Sequence, residues 1–250
     1  MRWIGFAVIS VMARVVALSL LLILVGGCAT AEDLTAEDLT FLPSSAAEEA
    51  WQALVKGGHV ALIRHGNAPP GSGGDPPGFR IDDCRTQRNL DGYGRAQGKA
   101  LGKAFRSHGV RVDRIMSSLI CRCMDTAYLM AVGRVERSWA LVPDSYGLPL
   151  DRLRELREIV STWRGPGTLV LITHGFTIRA LIGITPDQAE TVVLRPTPGV
   201  EPGAVVVGRI TPPRYATLRE PCDDSRPPRA VSCGRIASAR SPIALPSRRG

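Results

Sequence analysis

The sequence predicts an α/β fold: a three-layer sandwich with a mainly parallel central sheet and helices on both faces. Three observations lead there. Val60–Ile63 is a short apolar run flanked by Gly58 and Gly66, too short for a helix and suited to a buried strand. Thr168–Thr173 repeats that pattern more than a hundred residues later and ends at His174-Gly175. Between and around these runs lie stretches whose apolar residues recur at helical spacing, and strands alternating with helices imply parallel pairing.

In chain order, Ser44 or Ser45 caps a helix through Trp51 and Leu54, with Glu48 supporting its first turn. The first strand then delivers Arg64 and His65 at its end. The segment Asn67–Arg88 contains Pro69-Pro70-Gly71, Gly73-Gly74 and Pro76-Pro77-Gly78, a composition that excludes helix or central strand. A loop so long in a compact domain is functional or disordered, and this one, leaving from a strand end, is expected to cover substrate. Arg80, Arg85 and Arg88 are candidate anion contacts, balanced by Asp75, Asp82 and Asp83; a solvated charged loop is the bland alternative. Asp91 caps a helix from Gly92 to about Ser107, whose Ala96, Leu101, Ala104 and Phe105 form a core stripe. Ile115–Ser118 reads as a third strand end leading through Leu119–Ala127 into a helix. A helix over Asp151–Trp163 follows, with Leu153, Leu156, Val160 and Trp163 on one face. After His174 come a helix over Thr177–Leu181 and strands at Thr191–Leu194 and Ala204–Val207.

The 250 residues carry a net charge of +8 and divide unevenly. Residues 1–27 hold Arg2, Arg14 and the apolar run Val15–Val25, an export signal rather than part of the fold, with Met1 or Met12 as the start. A membrane span over Ile4–Val25 would place Arg14 near mid-bilayer at a cost of roughly 2.5 to 3.5 kcal/mol. Residues 28–45 include Ala31–Thr35 repeated as Ala36–Thr40, too short a unit for a repeat fold, and read as a tether. The globular domain is expected over residues 46–210. The tail, residues 211–250, has eight arginines against Glu220, Asp223 and Asp224 and is expected to be disordered. It carries most of the net charge, so the basic balance belongs to the tail. That argues against nucleic-acid binding by the domain, which would show a basic face on the fold.

Four histidines are present, and His65 and His174 occupy equivalent places after strands, where open α/β sheets bind ligands. A lone histidine there is usually structural. The set Arg64, His65, Gly66, then Ser117, Ser118, Arg122, Thr126, Ala127, then Thr173, His174, Gly175 resembles the histidine phosphatase superfamily, the phosphoglycerate-mutase-like fold. Asn89-Leu90-Asp91 with Gly94 and Gln97 is similar to the helix that follows the family's first catalytic loop. Gly78–Cys84 and the cysteines flanking Arg122 resemble a group of exported bacterial members. Val25-Gly26-Gly27-Cys28 resembles a lipobox, which implies lipidation of Cys28 and an anchor in the bacterial envelope, facing the periplasm or exterior.

The resemblance implies a nucleophile, His65, that becomes phosphorylated and is then hydrolysed, with Arg64 and Arg122 gripping the phosphate oxygens and a protonated His174 as a further donor. His65 must be neutral to attack, its other ring nitrogen donating to a backbone carbonyl. Gly66, Gly175 and Arg80 are expected beside the substrate. No family glutamate is evident; Asp144 lies near where the acid falls, whereas Asp151 and Glu155 read as solvated helix positions. If none serves, substrates with good leaving groups are favoured. No metal or organic cofactor is implied. Of the cysteines left after lipidation, Cys84 pairs with Cys121 or Cys123, pinning the loop beside Arg122, and Cys222 with Cys233; a zinc site on Cys84, Cys121 and Cys123 is disfavoured by spacing. The expected partner is a phosphorylated small molecule or envelope glycan. The rivals are a non-catalytic phosphate- or anionic-glycan-binding lipoprotein and a phosphoglycerate mutase, the latter opposed by export.

Overall fold

A computed structural model describes residues 39–69, 74–143 and 149–215, all within one compact unit. The signal, Cys28, Asp144, Cys222, Cys233 and the tail beyond residue 215 lie outside the described residues. Helix α1 (Ser45–Lys56) is capped by Ser44, whose hydroxyl accepts from the Ala47 amide at 3.0 Å, and it places Glu48 and Lys56 where the helix dipole favours each. Strand β2 (Val60–Arg64) follows the two-residue β1 (Leu39–Thr40). Asp91 caps helix α2 (Gly92–Ser107) through Gly94 N–H at 2.7 Å, with the boundaries expected from the sequence.

Next come β3 (Val112–Ser117), α3 (Cys121–Met130), β4 (Val135–Arg137), α4 (Leu150–Ser161) and β5 (Thr168–Thr173). The chain continues through α5 (Gly175–Ile182), β6 (Thr191–Pro196), β7 (Ala204–Ile210) and β8 (Arg214–Tyr215). Six strands form one sheet in the order β4-β3-β5-β2-β6-β7; β2 to β5 pair in parallel, while β6 and β7 are antiparallel additions. This is the three-layer α/β sandwich expected from the sequence.

The pleat sorts the core. Ala61, Ile63, Val170 and Ile172 face Trp51, Leu54, Leu101, Phe105 and Met130 of α1, α2 and α3. Their neighbours Val60, Leu62, Leu169 and Leu171 face Leu156, Val160, Ile178 and Leu181 of α4 and α5. Both faces being covered explains why β2 and β5 read as unbroken apolar runs rather than alternating ones. Helix α2 packs closely on α3: a Cβ on Gly102 would sit 1.8 Å from the Met130 carbonyl oxygen, so only glycine permits the approach.

The differences from expectation are local. Helix α5 starts at Gly175 rather than Thr177, with His174 as its N-cap residue, and α4 stops at Ser161, leaving Trp163 beyond it. Among its described residues the long loop holds one 3-10 turn, Cys84–Thr86, capped by Asp83. The fold also reaches past residues 46–210 at both ends. Leu39–Thr40 pairs antiparallel with Arg214–Tyr215, and the Pro213 carbonyl accepts from the Tyr93 hydroxyl at 3.2 Å and from Gln97 Nε2 at 3.4 Å.

What matters for chemistry is the sheet order. Strand β5 lies between β2 and β3, so the carboxyl ends of all three are neighbours. The His65 amide donates to the Thr173 carbonyl at 3.0 Å and the Ser118 amide to the Ile172 carbonyl at 2.9 Å. Three separate sequence blocks thereby reach one crevice, the ligand position of open α/β sheets.

Candidate active site

His65 is buried at the end of β2 with its Nδ1 2.8 Å from the Gly66 carbonyl. A carbonyl only accepts, so Nδ1 carries the hydrogen and Nε2 keeps its lone pair, the tautomer a nucleophile needs. Burial first, and then the guanidinium of Arg122, hold its pKa well below the usual imidazole value. The ring is therefore neutral at pH 7.

His174 meets it edge to face, ring centroids 5.3 Å apart. The Arg122 Nη2 lies 3.4 Å from His174 Nδ1; a guanidinium only donates, so Nδ1 accepts and Nε2 carries the hydrogen toward the Ser118 hydroxyl at 2.9 Å. Burial, followed by Arg122 and His65, pushes the His174 pKa well down. Desolvation among cations keeps it neutral, so the protonated His174 expected as charge develops needs an anion alongside. Cys123 Sγ is 3.3 Å from the same Nε2, and burial raises that thiol to about 12, an inert packing group.

Two arginines complete the cluster. Arg64 donates from Nη1 to the Pro186 carbonyl at 2.8 Å, and Arg122, the second residue of α3, donates from Nη1 to Asp75 Oδ1 at 2.7 Å and to the Arg88 carbonyl at 3.3 Å. The Nε–H groups of both are buried without a hydrogen-bond partner. A buried guanidinium donor left unpaired is costly, and two of them beside two imidazoles make a site that favours an oxyanion. The blocks are also stitched together directly: the Gly66 amide donates to Thr126 Oγ1 at 3.0 Å, and that hydroxyl donates to the Arg122 carbonyl at 2.7 Å.

Asp75 is the residue that sequence reasoning missed. In the sequence it is one of three aspartates that balance the loop arginines, yet its side chain is half-buried on Arg122, 12% exposed, and also accepts from the Arg88 amide at 2.9 Å. The loop is held there by Gln87, whose Oε1 accepts from the Cys121 amide at 2.8 Å while its Nε2 donates to the carbonyls of Arg80 and Ile81. A disulfide joins Cys84 to Cys121, with Cα atoms 5.7 Å apart. Of the two pairings left open by the sequence, this one places the covalent link at the first residue of α3. Cys123 stays a free buried thiol against His174, and the Cys84–Cys121 bond takes two of the three sulfurs that a zinc site would share. No signal in the loop composition marks Asp75; its neighbour Gly74 and the two following prolines point only to a turn.

Other expected site residues fare differently. Gly175 lies against the Arg64 guanidinium, where an added Cβ would sit at 3.5 Å. Gly66 does not present its amide to a ligand, because Thr126 takes it; its smallness serves packing, since a Cβ there would come within 2.6 Å of the Gly94 carbonyl oxygen. Arg80 is exposed and paired with Asp82 at 3.3 Å, part of the loop surface rather than of the buried cluster. Asp144 falls outside the described residues, and no group of acidic, histidine or cysteine side chains among the described residues could hold a metal.

No protein-family model matches the chain, and no curated protein matches it. Solved structures do. A protein histidine phosphatase, SixA, complexed with tungstate is similar at 15% identity over 62% of this chain and 97% of that one, with a TM-score of 0.44. A phosphoserine phosphatase from Entamoeba histolytica, complexed with 3-phosphoglyceric acid, is similar at 14% identity over 61% and 96%, with a TM-score of 0.45. A mycobacterial glucosyl-3-phosphoglycerate phosphatase is similar at 17% identity over 54% and 92%, with a TM-score of 0.40. On its own residues, the chain brings two buried histidines and two arginines with unpartnered Nε–H groups together at the carboxyl ends of β2, β3 and β5.

Proposed function

We propose that this chain is a phosphatase that hydrolyses phosphomonoesters through a phosphohistidine on His65. The observation that carries the reading is the pair of buried, unpartnered arginine Nε–H groups beside a neutral imidazole whose tautomer leaves Nε2 free. Phosphoryl transfer needs little else: an in-line nucleophile and donors for the equatorial oxygens. His65 Nε2 attacks phosphorus as the ester oxygen departs, Arg64 and Arg122 hold the oxygens, and His174 gains a proton only as phosphate charge offsets its burial. Water then attacks the phosphohistidine. The lipobox-like Cys28 and the signal support an envelope location, and with it an exposed sugar phosphate or phosphorylated glycan as substrate.

The test is phosphate release from para-nitrophenyl phosphate by the full chain, with His65→Ala in parallel and acid-labile label sought on His65. Turnover by the wild type, no turnover by the variant and label on His65 are expected. Inertness of both, with orthovanadate still raising the melting temperature, would instead establish an anion-binding protein.

A further inference from the structure

From the position of Asp75 we infer that this residue is the acid and base of the site, protonating the leaving oxygen in the first half-reaction and receiving the proton from water in the second. The inference rests on the phosphatase reading and supplies the group that the sequence assigned to Asp144. Asp75 Oδ1 lies 2.7 Å from Arg122 Nη1, on the guanidinium whose Nε–H has no partner, and its side chain is 12% exposed. A phosphate oxygen bound toward the Nη atoms of this guanidinium would sit beside the carboxylate.

The other carboxylates nearby have partners outside the cluster, although the charge of Asp187 also acts on Arg64. Glu190 accepts from Arg209 and from the Asp187 amide, Asp187 faces Arg214, Asp91 caps α2 and holds Asn67 Nδ2, and Asp125 pairs with Arg95. Asp151 and Glu155 are exposed on α4. Among the described residues, Asp75 is the carboxylate that a hydrogen bond joins to the cluster.

The substrate itself explains how Asp75 acquires the proton. A phosphate group entering the fork brings a second anion against the same guanidinium, and two anions in contact cannot both stay ionised. A phosphomonoester carries its last proton with a pKa of about 6, so a share of the substrate arrives with that proton attached. The proton passes to Asp75, leaving a dianionic ester on Arg64 and Arg122. As the bond from His65 Nε2 to phosphorus forms, the ester P–O bond breaks and the departing oxygen takes the proton from Asp75. The carboxylate so regenerated takes a proton from the water that attacks phosphorus, the N–P bond breaks, and neutral His65 returns with Nδ1–H still on the Gly66 carbonyl. Asp75 returns the water-derived proton to the phosphate as alcohol and phosphate leave, so the carboxylate ends ionised as it began.

The experiment compares kcat/KM of wild type, Asp75→Asn and Asp75→Glu, as full chains, on para-nitrophenyl phosphate and on an alkyl phosphate. Para-nitrophenolate leaves without help and an alkoxide does not. Asp75→Asn is expected to keep most of kcat/KM on the aryl ester and to lose roughly a hundred-fold or more on the alkyl ester, the size of general acid catalysis. It should also accumulate phosphohistidine, since hydrolysis lacks its base, and Asp75→Glu should recover part of the alkyl rate. Equal losses on both esters would overturn the inference and leave the phosphatase reading standing. So would a joint rise on both esters with tighter orthovanadate binding, the mark of a carboxylate that merely competes with phosphate. A wild type that hydrolyses neither ester would remove both readings together.

Discussion

His65 and His174 are histidines that the fold keeps neutral. Burial and the neighbouring arginines depress both, so the unfolded chain binds protons on them from about pH 6.5 downward while the native protein does not. Stability attached to this pair is therefore complete above pH 6.5 and is lost as the pH falls from there toward the depressed native values. Each residue accounts for up to about 1.4 kcal/mol per pH unit across that window. Urea unfolding at pH 7.5 and 5.5 should show His174→Gln losing less stability than wild type over the interval, by roughly that amount. An identical loss in both proteins would mean that His174 is protonated in the native state. Orthophosphate should shrink the wild-type loss, because an anion on Arg64 and Arg122 pays for protonating the ring.

Among the elements, the loop from Asn67 to Arg88 and helix α3 behave as one device. The disulfide between Cys84 and Cys121 spans 37 residues, a closure worth about 4 kcal/mol on chain-entropy grounds, and it ends one residue before Arg122. Gln87 ties the same two segments through the Cys121 amide. Cys84→Ser is therefore expected to lower the melting temperature. It should also depress kcat/KM on an alkyl phosphate more than on para-nitrophenyl phosphate, since a loosened loop misplaces Asp75. Loss of stability alone, with both esters affected alike, would confine the bond to a structural role. The loop is also where sequence reading reached least far. Its prolines and glycines identify a loop, but a carboxylate on a buried arginine carries no periodicity, and Asp75 looks no different from Asp82 or Asp83, which pair with Arg80 and Arg85 at the surface.

For the whole molecule, the boundary of the folding unit is the testable matter. Residues 39–40 and 214–215 form a small antiparallel pair, and Pro213 anchors Tyr93 and Gln97 of α2. A chain cut to residues 46–210 loses these bonds and the Ser44 cap, together about 2 to 4 kcal/mol at a typical 1 kcal/mol per bond or cap. Its melting temperature should lie roughly 5 to 15 °C below that of residues 39–215. Equal melting temperatures would show that the outer pair adds nothing to the fold.

Sequence alone determined whatever is written locally or in repeated pattern: the strands ending at Arg64-His65 and Thr173-His174, a serine cap at Ser44 or Ser45, the cap at Asp91, and the amphipathic helices. Those features follow from backbone geometry and burial within a few residues. Tertiary structure decided the rest: that β5 separates β2 from β3, that Cys84 meets Cys121 while Cys123 stays a buried thiol against His174, that Gly66 packs on Gly94, and that Asp75 reaches Arg122. It also decided the charge of His174, because a pKa depends on what burial removes and which cations stand near. These are relations between residues distant in the chain, and each is chosen by which surfaces the packed core brings together.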